Sequence, residues 1–135
     1  VRTPRATLGA GVAGIWLTDG EAMPTALATP PPESDPARGI RPDAVVLDNC
    51  FTGWTRRAVV EWPERAARLV MTAEGPLDFL VLYTPPGEAF FCAEPVSHVT
   101  DAINLAAAGR PDTGLRTLEP GESLAATITL TPETA

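Results

Sequence analysis

Lysine is absent from this chain: all ten basic residues are arginines, set against seventeen acidic ones for a net charge of −7. A surface of that balance repels phosphate backbones and anionic headgroups, so neither nucleic acid nor a membrane surface is an expected partner. There is a single histidine, His98, and only two cysteines, Cys50 and Cys92. These supply neither a disulfide framework nor a nitrogen-and-sulfur metal site, and both cysteines read as small buried apolar residues. No apolar run approaches the length of a bilayer span, and no secretory pattern stands at the start of the sequence; the expected location is the cytoplasm.

What is present is an ordinary globular balance, 44% hydrophobic and 20% charged, over 135 residues, which suits one domain with a modest core. Fifteen prolines and eleven glycines leave little room for long helices. Short strand-like runs recur between turn signals: 15–17, 21–28, 44–51, 57–62, 66–73, 78–84, a run around 90–96, 115–118 and 122–131. The last alternates, with Leu124, Ala126, Ile128 and Leu130 inward and Thr127, Thr129 and Thr131 outward. Residues 29–43 carry Pro30, Pro31, Pro32, Pro36 and Pro42 and read as a long irregular loop. A helical turn is expected around 101–106. Residues 63–74 fit an amphipathic helix with proline in its first turn and Gly75 as its stop; the bulky residues of 68–72 favour a strand hairpin. The whole predicts an all-β, antiparallel β-sandwich.

The densest chemical information lies in Phe90-Phe91-Cys92-Ala93-Glu94-Pro95-Val96-Ser97-His98. An acidic residue sits in an apolar segment, is followed by proline, and precedes the only histidine. Strand alternation puts Phe90, Cys92 and Glu94 on one face. A half-buried carboxylate there would have its pKa raised and would serve as a general base. The competing reading is a buried glutamate tied into a hydrogen-bond network at a strand end. A second acid, Asp48, ends the apolar run Val45-Val46-Leu47 ahead of a Gly53-Trp54 corner. Aspartate is a poor strand residue, so it is either a turn former or a functional acceptor. Trp54 would either stack on the C–H face of a sugar or pack in the core. Two carboxylates with aromatic neighbours suit a neutral polyol ligand.

The runs Leu47-Asp48-Asn49-Cys50-Phe51-Thr52-Gly53-Trp54, Tyr83-Thr84-Pro85 and Phe91 through Asn104 resemble the aldose 1-epimerase (galactose mutarotase) family. Met23-Pro24-Thr25, Thr113-Gly114-Leu115 and Leu118-Glu119-Pro120-Gly121-Glu122 follow the same family order. The resemblance implies a large antiparallel β-sandwich that interconverts the α and β anomers of a free aldose without a cofactor. A glutamate takes the C1 hydroxyl proton while a histidine protonates the ring oxygen. By motif the base falls on Glu94 and the sugar-binding aspartate on Asp48.

Family chains are roughly twice as long, consistent with a sandwich larger than one typical domain. The match is to their C-terminal half. The family's general-acid histidine belongs to the other half. His98, four residues past the base, is therefore expected to orient the loop or touch the ligand. The expected partner is a small-molecule aldose. A homodimer, or pairing with a missing N-terminal half, would cover strand edges left open. Alternatives to an isomerase are a carbohydrate-binding module without turnover and an inactive truncated product.

Overall fold

The computed structural model describes residues 1–134. Two antiparallel sheets face each other, as the strand spacing predicts. One holds β1 (Thr7–Ala10), β5 (Arg57–Trp62), β6 (Ala67–Glu74) and β9 (Thr127–Thr134), in that spatial order. The other holds, in spatial order, β3 (Pro24–Ala28), β2 (Gly14–Thr18), β4 (Asp48–Thr52), β7 (Phe79–Tyr83) and β8 (Cys92–Val96). One short helix, α1 (Ala102–Ala107), follows β8.

The core lies between the sheets. Leu8, Ala10, Ala58, Val60 and Met71 of the first sheet meet Ile15, Phe51, Leu80 and Leu82 of the second. These are alternate residues of their strands, so the period-two pattern supplies one apolar face to each sheet. A second, smaller cluster forms on the opposite face of the five-stranded sheet, where Trp16, Cys50 and Phe79 pack against Val99 and Ala102. That sheet is thus covered on both sides at one end of its outer face.

The hairpin reading of 63–74 holds. Pro63–Arg65 is a single 3-10 turn, Ala66 takes a left-handed conformation, and β5 pairs with β6 from Arg57↔Thr72 to Trp62↔Ala67. The proline-rich stretch is irregular but contains two 3-10 turns, Pro32–Ser34 and Pro36–Arg38, and returns to the sandwich through an Ile40–Leu8 bridge.

Three expectations change. The run 44–51 is a strand only from Asp48, because Val45 and Leu47 are bonded to Thr84 rather than to a sheet neighbour. Residues 115–118 form no strand, and β9 begins at Thr127 rather than at 122. The inward residues Ile128 and Leu130 are still 48% and 57% exposed. An apolar groove of about 470 Å³ remains there, lined by Trp62, Leu69, Phe91, Pro95, Ile128 and Leu130 among others. Among the described residues no helix is long and apolar enough to cross a membrane.

Candidate active site

The outer face of the five-stranded sheet gathers the acidic candidates. In an antiparallel ladder, directly opposed residues put their side chains on the same face. Asp48 of β4 opposes Tyr83 of β7, which opposes Cys92 of β8. One row along, Cys50 opposes Val81, which opposes Glu94. Asp48 and Glu94 therefore share a face, on the two strands flanking β7. Two strand spacings and a two-residue offset put their Cα atoms about 12 Å apart. Side chains reaching inward from both can close on one ring-sized ligand.

Local sequence explains why Asp48 stands where it does. Thr84, buried at the end of β7, accepts a hydrogen bond from Leu47 N at 2.7 Å and donates to Val45 O at 2.8 Å. Its own backbone N–H bonds Leu47 O at 2.8 Å. Three bonds clasp the entry of β4 to the exit of β7, so a buried hydroxyl that would otherwise cost stability fixes the register instead. Asn49, the next residue, faces the other way and donates to Trp16 O at 2.9 Å. Asp48 is left exposed, its carboxylate in no hydrogen bond or ion pair among the described residues. It stands in a strand rather than forming a turn.

Glu94 departs from the sequence expectation. It is on the predicted strand and shares a face with Cys92, but it is exposed rather than half-buried. β8 is the edge of its sheet, and α1 covers only the Val96 end of this face, so the carboxylate keeps its water. Pro95 suits that edge, since a proline cannot donate to a further ladder. Phe90 precedes β8 and stands 44% exposed beside Tyr83, ring centroids 6.4 Å apart. The Cys92 thiol is pushed above its ordinary value, first by burial, then by the charge of Glu94 and a side-chain hydrogen bond with it. Cys92 is only half-buried, unlike the apolar core residue expected, whereas Cys50 is fully buried.

The tail of the motif builds a wall at the far end of this face. Asp101 takes a left-handed conformation and accepts from Asn104 Nδ2 at 2.5 Å, while its carbonyl accepts from Leu105 N. That turn starts α1 and seats Val99 and Ala102 on Trp16, Cys50 and Phe79. Arg110 lies 4.7 Å over the Trp16 ring and donates to both carboxylate oxygens of Asp112, at 3.0 and 2.6 Å. That hydrogen bonding holds the Asp112 carboxyl below its usual range.

His98 is exposed in the loop between β8 and α1, its Nδ1 2.9 Å from Ser97 Oγ. It lies outside ion-pair distance of both Glu94 and Asp48. The loop is pinned by Val99 N bonding Thr113 O at 2.9 Å. Trp54 is corrected from candidate sugar platform to core residue. It is 5% exposed, packs between the sheets, and its indole N–H donates to Arg57 O at 3.2 Å. Gly53, at φ +64°, makes the corner that turns it inward.

Among the described residues no group of three or more histidine, cysteine or acidic side chains could hold a metal ion. Glu94 also lines the apolar groove, beside Ala93 and Pro95 of the same strand; the rest of that lining is apolar.

The two-sheet antiparallel fold is shared with known proteins. The aldose 1-epimerase family model matches residues 11–131, and the chain belongs to that family. It is 33% identical over 95 residues to the uncharacterized protein YphB of Escherichia coli K12, covering 64% of this chain and 31% of YphB. A crystal structure from Escherichia coli K12, of a protein named as a candidate aldose 1-epimerase, superposes with a TM-score of 0.83 at 26% identity. It covers 99% of this chain, which spans 47% of the solved one. A galactose mutarotase-like protein of Clostridium acetobutylicum has the same fold, with a TM-score of 0.83 at 20% identity over 98% of this chain and 42% of its own. The chain thus spans less than half the length of each of these relatives.

Proposed function

We propose that this chain carries the base-bearing half of an aldose 1-epimerase-like site, acting on the anomeric centre of a free aldose. The observation that carries the reading is the placement of Asp48 and Glu94 on one open sheet face, on either side of β7. Glu94 accepts the proton of the C1 hydroxyl. As the C1 carbonyl forms, the bond from C1 to the ring oxygen breaks, and that oxygen takes a proton from an acid. Rotation about C1–C2 and reclosure on the other carbonyl face give the second anomer, with the protons returned. Asp48 accepts hydrogen bonds from sugar hydroxyls and holds the ring in place, so that the base meets one hydroxyl and not another.

A second reading has its own support. His98, the only histidine, bonds to Ser97 and not to Glu94. No histidine of this chain therefore stands with the base, and the 135 residues alone would bind sugar without turning it over. The open strand edges at β8 and β9 support a covering partner, either a second copy or further polypeptide of the family's longer type.

The deciding experiment is anomer exchange by NMR on this chain and on Glu94→Gln, with sugar binding measured in parallel. Exchange that falls to the uncatalysed rate in Glu94→Gln supports the isomerase. Binding without exchange in either supports the binding module, and neither binding nor exchange refutes both.

A further inference from the structure

We propose that Tyr83 is a sugar-contacting residue of this face, giving the site an aromatic platform for an aldopyranose with an apolar C–H face. The inference rests on the reading of Asp48 and Glu94 as the sugar-binding carboxylates.

Register carries the argument. Tyr83 is directly opposed to Asp48 on one side and to Cys92 on the other, and it precedes the Thr84 clasp that fixes this row. Glu94 stands one row along, opposed to Val81. The Tyr83 side chain therefore rises from the strand between the two carboxylates. A ligand that bridges them crosses β7 between Tyr83 and Val81.

The ring is placed for contact rather than for packing. Tyr83 is half-buried, outside both core clusters, and its hydroxyl takes part in no hydrogen bond among the described residues. Phe90 lies against it at 6.4 Å between centroids and 55° between planes, so the ring is braced from one side and open on another. An aromatic of this kind offers apolar area with few rotatable bonds, and its phenol adds a donor and an acceptor. Between two carboxylates, which only accept, a phenol O–H supplies the donor that a sugar oxygen needs. Trp54, the aromatic that the sequence offers first, is buried between the sheets and cannot do this.

The test is titration of the chain with D-glucose, D-galactose and sorbitol, followed by amide NMR shifts, in wild type, Tyr83→Leu and Tyr83→Phe. Tyr83→Leu keeps apolar bulk on β7 and removes the aromatic face; Tyr83→Phe keeps the face and removes the hydroxyl. Wild type is expected to bind the two aldoses with shifts at Asp48 and Glu94, and to bind the ring-less sorbitol more weakly. Tyr83→Leu should weaken aldose binding about tenfold, an aromatic contact's share, while Tyr83→Phe retains most of it. Unchanged aldose binding in Tyr83→Leu, with shifts still at Asp48 and Glu94, would overturn this proposal and leave the carboxylate reading standing. No aldose binding by wild type would overturn both.

Discussion

Asp48 and Glu94 rise from the same face of the five-stranded sheet, on the two strands that flank β7 and one side-chain row apart. They lie 46 positions apart in sequence as numbered, and only the β4–β7–β8 order brings them together. Both are exposed, and neither is needed by the core. Glu94→Gln and Asp48→Asn should therefore change stability by no more than about 0.5 kcal/mol. In an assembly that turns sugar over, Glu94→Gln should slow exchange by at least about 100-fold, a general base's share, and Asp48→Asn should act mainly on binding. Thermal melts and exchange rates together check this. A variant that unfolds would show that the carboxylate is structural.

Cys92 reports on Glu94. Burial, the Glu94 charge and their hydrogen bond all hold the thiol protonated above its ordinary value. Replacing the carboxylate with an amide takes away the charge and leaves only a neutral acceptor for the thiol. Glu94→Gln should therefore move the pH midpoint of Cys92 alkylation downward, and the thiol should react faster at a fixed mildly alkaline pH. An unmoved midpoint would place the two side chains apart.

Cys50 sets an alkaline limit. Burial pushes its thiol from 9.0 up to about 12, only partly offset by a backbone hydrogen bond from Thr100. The folded state holds this proton more tightly than the unfolded one. The stabilisation is thus complete below about pH 9 and is lost as pH rises through about 12. Melting temperature should fall across that window, and Cys50→Ala should flatten the fall while lowering stability at neutral pH through a small cavity.

Gly114 holds the loop beneath His98. Its φ is +74°, and a Cβ there would press on the Phe79 ring, the Ser97 carbonyl oxygen and the His98 Cα. Gly114→Ala should cost about 3 kcal/mol through strain and overpacking together. A fall in melting temperature of about 10 °C is expected. The His98 ring resonances should move as well.

The open edge of β9 predicts self-association. β9 has eight exposed residues, no lysine and an uncovered apolar row at Ile128 and Leu130. Edges of that kind pair with other chains. Sedimentation should show concentration-dependent association that Ile128→Lys with Leu130→Lys abolishes. A monodisperse monomer at all concentrations would mean that the edge is self-sufficient.

Much of this was legible in the sequence, for physical reasons that differ by element. β5 was readable to the residue because Arg57–Trp62 alternates between strong turn signals. The helical turn expected around 101–106 is α1, and the Asp101–Asn104 side-chain bond at its start is local. Asp48 and Glu94 could each be singled out as acids in apolar runs. Their shared face could not, since it depends on which strands are neighbours. The burial of Glu94 was misread for the same reason: alternation gives a face, but only topology says that β8 is an edge. Residues 115–118 carry strand-like composition, yet they pair with no strand of either sheet. Thr84 gave a weak signal in sequence. Its three-bond clasp on Val45 and Leu47 is what sets the Asp48 row.

The most direct test of the account is an amide NMR map of this chain saturated with D-glucose or D-galactose. The account predicts shifts clustered on the row of Asp48, Tyr83 and Cys92 and on neighbouring Glu94, lost together in Asp48→Asn with Glu94→Gln. Shifts confined to the apolar groove at Trp62 and Ile128, or none at saturating sugar, would contradict it.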